Sequence, residues 1–187
     1  MAIAPGVRRI ALIRAPGADV HSPTEILADQ LGLRPVSPGD LFRRHVQHRT
    51  PHGLDALQHM NSGRLVPDEL IVDVLAETLS DAKSGWVLAG FPRRVEQAEL
   101  LAGRGHPPEM AVELTITPDE VDVSHWAAVT GRPPDERRAQ LAASIADYRE
   151  TAEPLRAHYR RRGILRSTSA YGRPDEVADR IHTLLAG

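Results

Sequence analysis

Short apolar runs alternate with amphipathic stretches along the whole chain. The runs are short and bounded by turn residues, as is typical of buried parallel strands. Candidate strands fall at residues 8–14, 34–37, 85–89, 111–116 and 163–167, and the segment at 85–89 is the compact apolar run expected of a buried strand. Between them, apolar residues recur at helical spacing. The predicted helices cover residues 22–31, 40–48, 51–62, 67–80, 93–101, 135–162 and 174–185, with a further helix beginning at Thr117.

The first predicted helix has recognisable end signals. Ser22 is expected to cap it, Pro23 suits its first turn, and Gly32 is expected to stop it. In the same way Gly63 is expected to end the helix over 51–62.

Strands that alternate with helices predict an α/β fold in which helices cover both faces of a five-stranded parallel sheet. Ligands of such sheets bind beyond the carboxyl ends of the strands. Functional residues are therefore expected at 14–19, 37–43, 90–93 and 117–120.

Composition narrows the functional classes. A length of 187 residues suits one domain, and a net charge of −2 gives no electrostatic reason to bind nucleic acid or an anionic membrane. No apolar run approaches the ~20 residues of a membrane span, and the absence of cysteine is compatible with a reducing compartment. We expect a cytoplasmic protein, a monomer or weak homodimer, with no nucleic-acid or membrane partner.

Four segments carry the most specific information: S-P-G-D-L-F-R at 37–43, G-R-L-V-P-D-E-L at 63–70, G-W-V-L-A-G-F-P-R-R-V-E-Q-A at 85–98, and Y-R-E-T-A-E-P-L-R-A-H-Y-R-R-R-G at 148–163. Together they resemble the adenylate kinase family of nucleoside monophosphate kinases. The resemblance implies a P-loop α/β core (1–37, 67–129 and 135–187), a helical monophosphate-binding flap (38–66) and a short lid (130–134).

The resemblance implies that the half of the site that binds the nucleoside monophosphate, here called the acceptor half, is retained. Arg43 and Arg93 match the family arginines that grip the nucleotide's phosphate, a task suited to the planar guanidinium fork. Gln97 matches the glutamine that reads the adenine edge, and Gly90 lets the base approach the backbone.

The remaining acceptor positions are partly changed. Gly39 and Asp40 lie in the first motif and are assigned to the nucleotide site, and Leu65 and Val66 match positions that line the base and ribose pocket. Pro38 replaces a family threonine, which leaves the base preference open.

The half of the site that would bind ATP, here called the donor half, is altered at its phosphate-binding loop. A P-loop has the pattern G-x-x-x-x-G-K-[ST], in which glycines permit tight turns and the lysine neutralises phosphate charge. The aligned residues are Arg14, Ala15, Pro16, Gly17, Ala18, Asp19, Val20 and His21, followed by Ser22. Arg14 and Asp19 thus replace glycines, and Val20 replaces the lysine.

Other donor-side positions change with the loop. Ala89 replaces the aspartate that organises magnesium, and the arginines before the lid fall near His125 and Val129. Arg132 matches one arginine after the lid, whereas the next falls near Ala143 or Ser144.

No lysine can replace the lost one. Lys83, the only lysine, precedes the strand over 85–89 and so belongs at the opposite edge of the sheet. Arg14 is the remaining candidate cation, but its position is the wrong end of the loop.

Three hypotheses follow. The favoured one is a protein that binds AMP, or a molecule containing it, and has lost ATP-dependent phosphotransfer, so that Mg-ATP is not an expected ligand. The second is a repurposed enzyme in which Asp19 and His21 act as acid–base groups on a nucleotide-linked substrate. The third is a weak kinase with a rearranged loop, aided by Arg132. No metal site is assigned, since the flap histidines (His45, His48, His52 and His59) read as exposed polar residues.

Overall fold

A five-stranded, fully parallel sheet forms the centre of the protein, for which the computed structural model describes residues 6–62 and 65–185. The strand order is β2-β3-β1-β4-β5. The strands are β1 (Arg9–Arg14), β2 (Arg34–Val36), β3 (Trp86–Ala89), β4 (Met110–Thr115) and β5 (Leu165–Ser169). The predicted α/β class and the five predicted strands are confirmed.

Nine helices connect and cover these strands within the described ranges. They are α1 (His21–Leu31), α2 (Pro38–Gln47), α3 (Pro51–Asn61), α4 (Asp68–Ser80), α5 (Val95–Gly103), α6 (Ser124–Thr130), α7 (Pro134–Thr151), α8 (Glu153–Arg161) and α9 (Pro174–Leu185). A single 3-10 turn, Pro118–Glu120, follows β4.

The central strands are buried on both faces, because successive side chains point to opposite sides of a sheet. Ile10 and Leu12 of β1 pack into a cluster formed with α1 and α9. Ile13 points to the other side and packs with Leu155 and Tyr159 of α8. The continuous apolar runs in the sequence reflect this three-layer arrangement.

Three details of the sequence-based prediction were wrong. Helix α1 begins at His21, so Ser22 lies inside its first turn and makes no capping bond. The predicted helix over 135–162 is two helices divided at Ala152, because Pro154 has no N–H and fits only the first turn of a new helix. The helix expected from Thr117 is only the 3-10 turn, and α6 starts later.

The predicted flap consists of α2 and α3, which cross closely. A Cβ on Gly53 would lie 2.1 Å from the carbonyl oxygen of His45, so only glycine fits at this crossing. The expected helix stop at Gly63 lies outside the described residues, as do residues 1–5 and 186–187 of the predicted core.

The predicted lid region is short. Residues 131–133 join α6 to α7, and Gly131 ends α6 in the left-handed conformation that favours glycine. No helix in the described part of the chain is long and apolar enough to cross a membrane.

Candidate functional site

A cavity of about 360 Å³, here called the inner cavity, opens at the carboxyl ends of β1 and β3. The loop after β1, the start of α2 and residues 89–97 meet there. Residues that line it include Arg14, Gly39, Arg43, Gly90, Arg93 and Gln97. Most of the residues assigned to the acceptor half from sequence are therefore brought together by the fold, at the sheet edge where ligands of parallel sheets bind.

Gly90 makes the sharp turn at the end of β3. Its φ of +67° lies in the left-handed region, and its N–H donates to the carbonyl oxygen of Leu12 at 2.8 Å. The next peptide bond but one, Phe91–Pro92, is cis. This turn brings the backbone of Gly90 to the wall of the inner cavity and directs the chain toward Arg93.

Gln97 is held at both ends of its amide. Its side chain is buried, its Oε1 accepts a 2.8 Å hydrogen bond from the backbone N–H of Arg93, and its Nε2 donates to Asp68 Oδ1 at 2.8 Å. The side-chain oxygen keeps one acceptor position and the amide one N–H. Gln97 is thus fixed in place before any ligand binds.

Arg93 presents a guanidinium to the cavity without an acidic partner. Its Nε donates a long hydrogen bond, 3.4 Å, to the carbonyl oxygen of Gly90, and no carboxylate of the described residues pairs with it. A cation in such a position is a ready partner for a phosphate.

Arg43 differs, because it forms an ion pair with Asp40 one helical turn earlier. Its side chain is largely exposed. The hydrogen bond with the Ser37 side chain, followed by that with Arg43, holds the pKa of Asp40 below its ordinary value. An anion that binds Arg43 must therefore compete with Asp40.

The loop after β1 packs tightly against α7 and against Val121, which follows the 3-10 turn. Gly17 has a φ of +89°, and a Cβ there would lie 3.0 Å from Val121 Cγ2 and 3.2 Å from Leu141 Cδ2. Glycine is required at this position both by conformation and by space. The tight turn that the P-loop comparison predicted at 16–18 is present, since the Ala18 N–H donates to Ala15 at 3.1 Å.

Asp19 and His21 contact each other through the backbone. Asp19 Oδ1 accepts a 2.9 Å hydrogen bond from the His21 N–H, which satisfies a free donor at the start of α1. His21 lines the inner cavity, whereas Asp19 lines none of the cavities described here. Val20, at the lysine position, is buried and offers only methyl groups to the inner cavity.

Arg14 reaches back into the loop. Its Nη1 donates to the carbonyl oxygen of Ala18 at 3.4 Å, and its Nε lies 3.6 Å from where a Cβ of Gly90 would stand. Burial, and next the charge of Arg93, lowers the pKa of Arg14, while Asp19 acts in the opposite direction. Arg14 was placed from sequence at the wrong end of the loop to replace the lysine, and in the structure its side chain folds back from that end to Ala18.

Some residues assigned from sequence lie away from the inner cavity. Leu65 is 91% exposed, and Val66, although half-buried, does not line the cavity. Asp40 lines a third, smaller cavity of about 260 Å³ together with His21. Arg132 is exposed and pairs with Glu136 at 2.7 Å. The side chain of His125 lies outside the described part of the chain.

A second cavity of about 410 Å³, here called the outer cavity, lies between the loop, residues 90–93 and α7. Arg14 and Arg93 line it as well, and α7 adds Arg137, Ser144 and Tyr148. Sequence reasoning did not single out Arg137. The signal was its spacing, because residues 137, 141, 144 and 148 share one helix face.

The structure also places Ala89 and Lys83, the two remaining positions discussed for the donor half. Ala89 ends β3, is 4% exposed and lines the inner cavity without an oxygen ligand. Lys83 precedes β3 at the opposite edge of the sheet, where its Nζ donates to the Ser80 carbonyl at 3.2 Å.

The flap histidines have local partners. His45 Nδ1 lies 2.8 Å from Thr50 Oγ1, and His52 Nε2 lies 3.3 Å from Glu77 Oε1. Across residues 6–62 and 65–185, no group of three histidine or acidic side chains is placed to hold a metal ion.

The fold and the site together define a P-loop kinase-like α/β protein with a cavity at the carboxyl edge of its sheet. The family model for adenylate kinase matches residues 12–164. Adenylate kinase of Thermobifida fusca is 35% identical over 185 residues (95% of this chain, 97% of the relative). Adenylate kinase 1 of Synechocystis is 35% identical over 191 residues (99% of each), and the Mycolicibacterium smegmatis adenylate kinase 34% over 176 (90% and 94%). The chain belongs to the adenylate kinase family.

Proposed function

We propose that this protein binds AMP, or a molecule that contains it, in the inner cavity and has lost efficient ATP-dependent phosphotransfer. The observation that carries the binding half is the Arg93–Gln97 unit. A guanidinium without an acidic partner stands beside a buried amide that is already oriented, so a phosphate and a base edge can be bound with little reorganisation.

The proposed loss of phosphotransfer rests on the cations that are missing from the donor half of the site. Catalysis of this reaction depends on cations that neutralise the transferring phosphoryl group, and each lost donor of this kind costs roughly 10²–10³ in rate. Val20 puts methyl groups where the family pattern has a lysine. Ala89 supplies no oxygen where magnesium would need a ligand. The guanidinium of Arg14 lies against Ala18, inside the loop that would cradle phosphates.

A second candidate is a kinase with relocated cations. The observation in its favour is that Arg14 and Arg137 both line the outer cavity together with Arg93. Sequence identity of about 35% to proteins named adenylate kinase also supports it. An assay for ADP formed from AMP and Mg-ATP separates the two candidates.

For a repurposed enzyme built on Asp19 and His21, the geometry is less favourable. The carboxylate of Asp19 is engaged by the His21 backbone and lines no cavity described here. We assign no reaction step to this pair.

The test of AMP binding is Arg93→Ala, measured by titration calorimetry. We expect affinity for AMP to fall at least tenfold while affinity for adenosine changes little, because the lost contact is to phosphate. Arg104→Ala is the matched control, since Arg104 directly follows α5 and pairs with Asp73 at 2.7 Å. Equal affinity of the wild type and Arg93→Ala for AMP would contradict the proposal.

A further inference from the structure

The third cavity, of about 260 Å³, lies where the first turns of α1 meet the end of β2 and the start of α2. It shares His21, Ser37 and Ala89 with the inner cavity, whereas none of its described lining residues lines the outer cavity. The proposed binding of AMP uses neither Glu25 nor Arg44, two further residues of its wall. Its volume is below that of sites for drug-sized molecules, so it suits a small polar ligand.

Two charged side chains of opposite sign line the third cavity without forming a pair. Glu25 of α1 and Arg44 of α2 both contribute to its wall. Neither side chain has a hydrogen-bond or ion-pair partner within residues 6–62 and 65–185, and they do not pair with each other. A wall that presents one free carboxylate and one free guanidinium is complementary to a molecule that carries both an ammonium and a carboxylate group.

The other polar groups of the wall act against ligands with a charge of only one sign. Asp40 adds a second carboxylate, which Arg43 engages from the side of the inner cavity. The Thr24 hydroxyl donates to the Val20 carbonyl oxygen at 2.5 Å, so its hydrogen is already used. A phosphate group would meet two carboxylates in this cavity, and a simple amine would meet the guanidinium of Arg44. The arrangement therefore favours a zwitterion over an anion or a cation.

We propose that the third cavity binds a small zwitterion of the amino-acid class, with its ammonium group at Glu25 and Asp40 and its carboxylate at Arg44. The ligand is a second molecule beside the nucleotide, so its binding does not depend on the proposed function. Glu25 and Arg44 are exposed, and contacts between exposed charges are weak. The expected dissociation constant is accordingly on the order of 1 mM.

Asp40 links the third cavity to the inner cavity. Its carboxylate pairs with Arg43, which lines the inner cavity and matches a phosphate-binding arginine of the family. An ammonium group that binds Asp40 weakens this ion pair and leaves the guanidinium of Arg43 available to a phosphate. A zwitterion in the third cavity is therefore expected to strengthen AMP binding, and AMP to strengthen zwitterion binding by the same factor. This coupling, unlike the binding of the zwitterion itself, rests on the proposed function.

The first experiment asks whether the wild-type protein prefers zwitterions. The probes are glycine, β-alanine and γ-aminobutyrate, in which the two charges are progressively further apart, and ethylamine and acetate carry one charge each. Titrations followed by NMR chemical shifts at constant ionic strength should show saturable binding of at least one zwitterion, and at least roughly tenfold weaker binding of ethylamine and acetate. Saturable binding of none of the three zwitterions, or binding of ethylamine or acetate as tight as theirs, would overturn the inference.

Variants then place the zwitterion in the third cavity. Glu25→Gln and Arg44→Gln should each lower its affinity roughly tenfold, the loss expected for one charge-assisted contact. The matched control is Asp29→Asn, because Asp29 is an exposed acid one turn further along α1 that does not line the third cavity. Its affinity for the zwitterion should stay within about twofold of the wild type. Equal losses in Glu25→Gln and Asp29→Asn would show a general effect of net charge and overturn the assignment.

The second experiment tests the coupling and separates it from the proposed function. Titration calorimetry with AMP, with and without a saturating concentration of the tightest-binding zwitterion, should show AMP affinity raised roughly fivefold by the zwitterion. In Asp40→Asn, where Arg43 has lost its carboxylate partner, the zwitterion should leave AMP affinity unchanged. An AMP affinity that the zwitterion does not change in the wild type would overturn the coupling through Asp40. A wild type that binds the zwitterion but no AMP would refute the proposed function and support the separate zwitterion site.

Discussion

The side-chain oxygen of Gln97 accepts a 2.8 Å hydrogen bond from the backbone N–H of Arg93. The residue proposed to read the base therefore also fixes the backbone of the residue proposed to bind the phosphate. Asp68 completes the arrangement by accepting from Gln97 Nε2 at 2.8 Å. A change at Gln97 is expected to affect both functions at once.

Gln97→Ala should weaken AMP binding and also destabilise the fold. The Arg93 N–H loses its hydrogen-bond partner and Asp68 keeps only Arg94, so we expect a loss of roughly 0.5–1.5 kcal/mol, the net value of a hydrogen bond. Calorimetry with AMP and urea denaturation measure the two effects. Gln58→Ala, on the exposed side of α3, is the control. Normal stability and normal AMP affinity in Gln97→Ala would show that the hydrogen bonds of Gln97 with Arg93 and Asp68 do not form in solution.

Breaking the buried ion pair between Glu113 and Arg156 is expected to destabilise the fold strongly. Glu113 of β4 is 4% exposed, and its Oε1 accepts from Arg156 Nη2 at 2.6 Å and from the Tyr148 hydroxyl at 2.9 Å. Arg156→Met leaves this carboxylate buried without its counter-charge.

The expected loss is roughly 3–5 kcal/mol in the free energy of unfolding. Arg138→Met removes an exposed pair with Asp135 and should cost about 1 kcal/mol or less. Urea denaturation gives both values, and similar losses in the two variants would contradict this assignment.

Tyr159→Phe is expected to stabilise the protein. Tyr159 is fully buried, and its hydroxyl has no hydrogen-bond partner among the described residues. Burial raises the pKa of this phenol, consistent with an apolar surrounding. Removing the oxygen should raise the free energy of unfolding by roughly 1 kcal/mol. The control is Tyr171→Phe, which is 57% exposed and should change nothing. A loss of stability in Tyr159→Phe would mean that the hydroxyl does have a partner.

Stability should rise with pH between about 5 and 7. Burial, and then the charge of Arg9, lowers the pKa of His106; burial, and then Arg162, lowers the pKa of His158. Below the ordinary histidine pKa of about 6.5, the unfolded chain therefore binds more protons than the folded one, and stability falls as pH falls. The lowered carboxyl pKa of Asp40 acts below about pH 4, outside this window.

The double variant His106→Gln, His158→Gln should have a flatter pH dependence of the free energy of unfolding over this range. Urea denaturation at several pH values measures it. An unchanged slope would show that these two histidines do not cause the dependence.

The fold followed from sequence because its signals are local. The central strand β3 is a compact apolar run, and the last helix was predicted with the bounds that the structure gives, Pro174–Leu185. The prediction of one long helix over 135–162 was wrong at Ala152, although Pro154 in the sequence indicated a break. Arg93 and Gln97 could be assigned to one site because they lie in one contiguous motif, and both line the inner cavity.

The outer cavity could not be predicted in the same way. The assignment of Arg137 depends on which face of α7 turns toward the loop, and that is decided by packing such as Leu141 against Gly17. The role of Arg14 depends on a side chain that folds back over its own loop. The sequence suggested Asp19 as an acid–base group, whereas in the structure its Oδ1 accepts a hydrogen bond from the backbone N–H of His21 at the start of α1.

Titration calorimetry of the wild-type protein with AMP and with Mg-ATP tests the central claim most directly, when combined with an assay for ADP in the same mixture. We predict saturable 1:1 binding of AMP, no comparable binding of Mg-ATP, and no formation of ADP above the uncatalysed level. Binding of Mg-ATP as tight as that of AMP, together with production of ADP, would contradict the account.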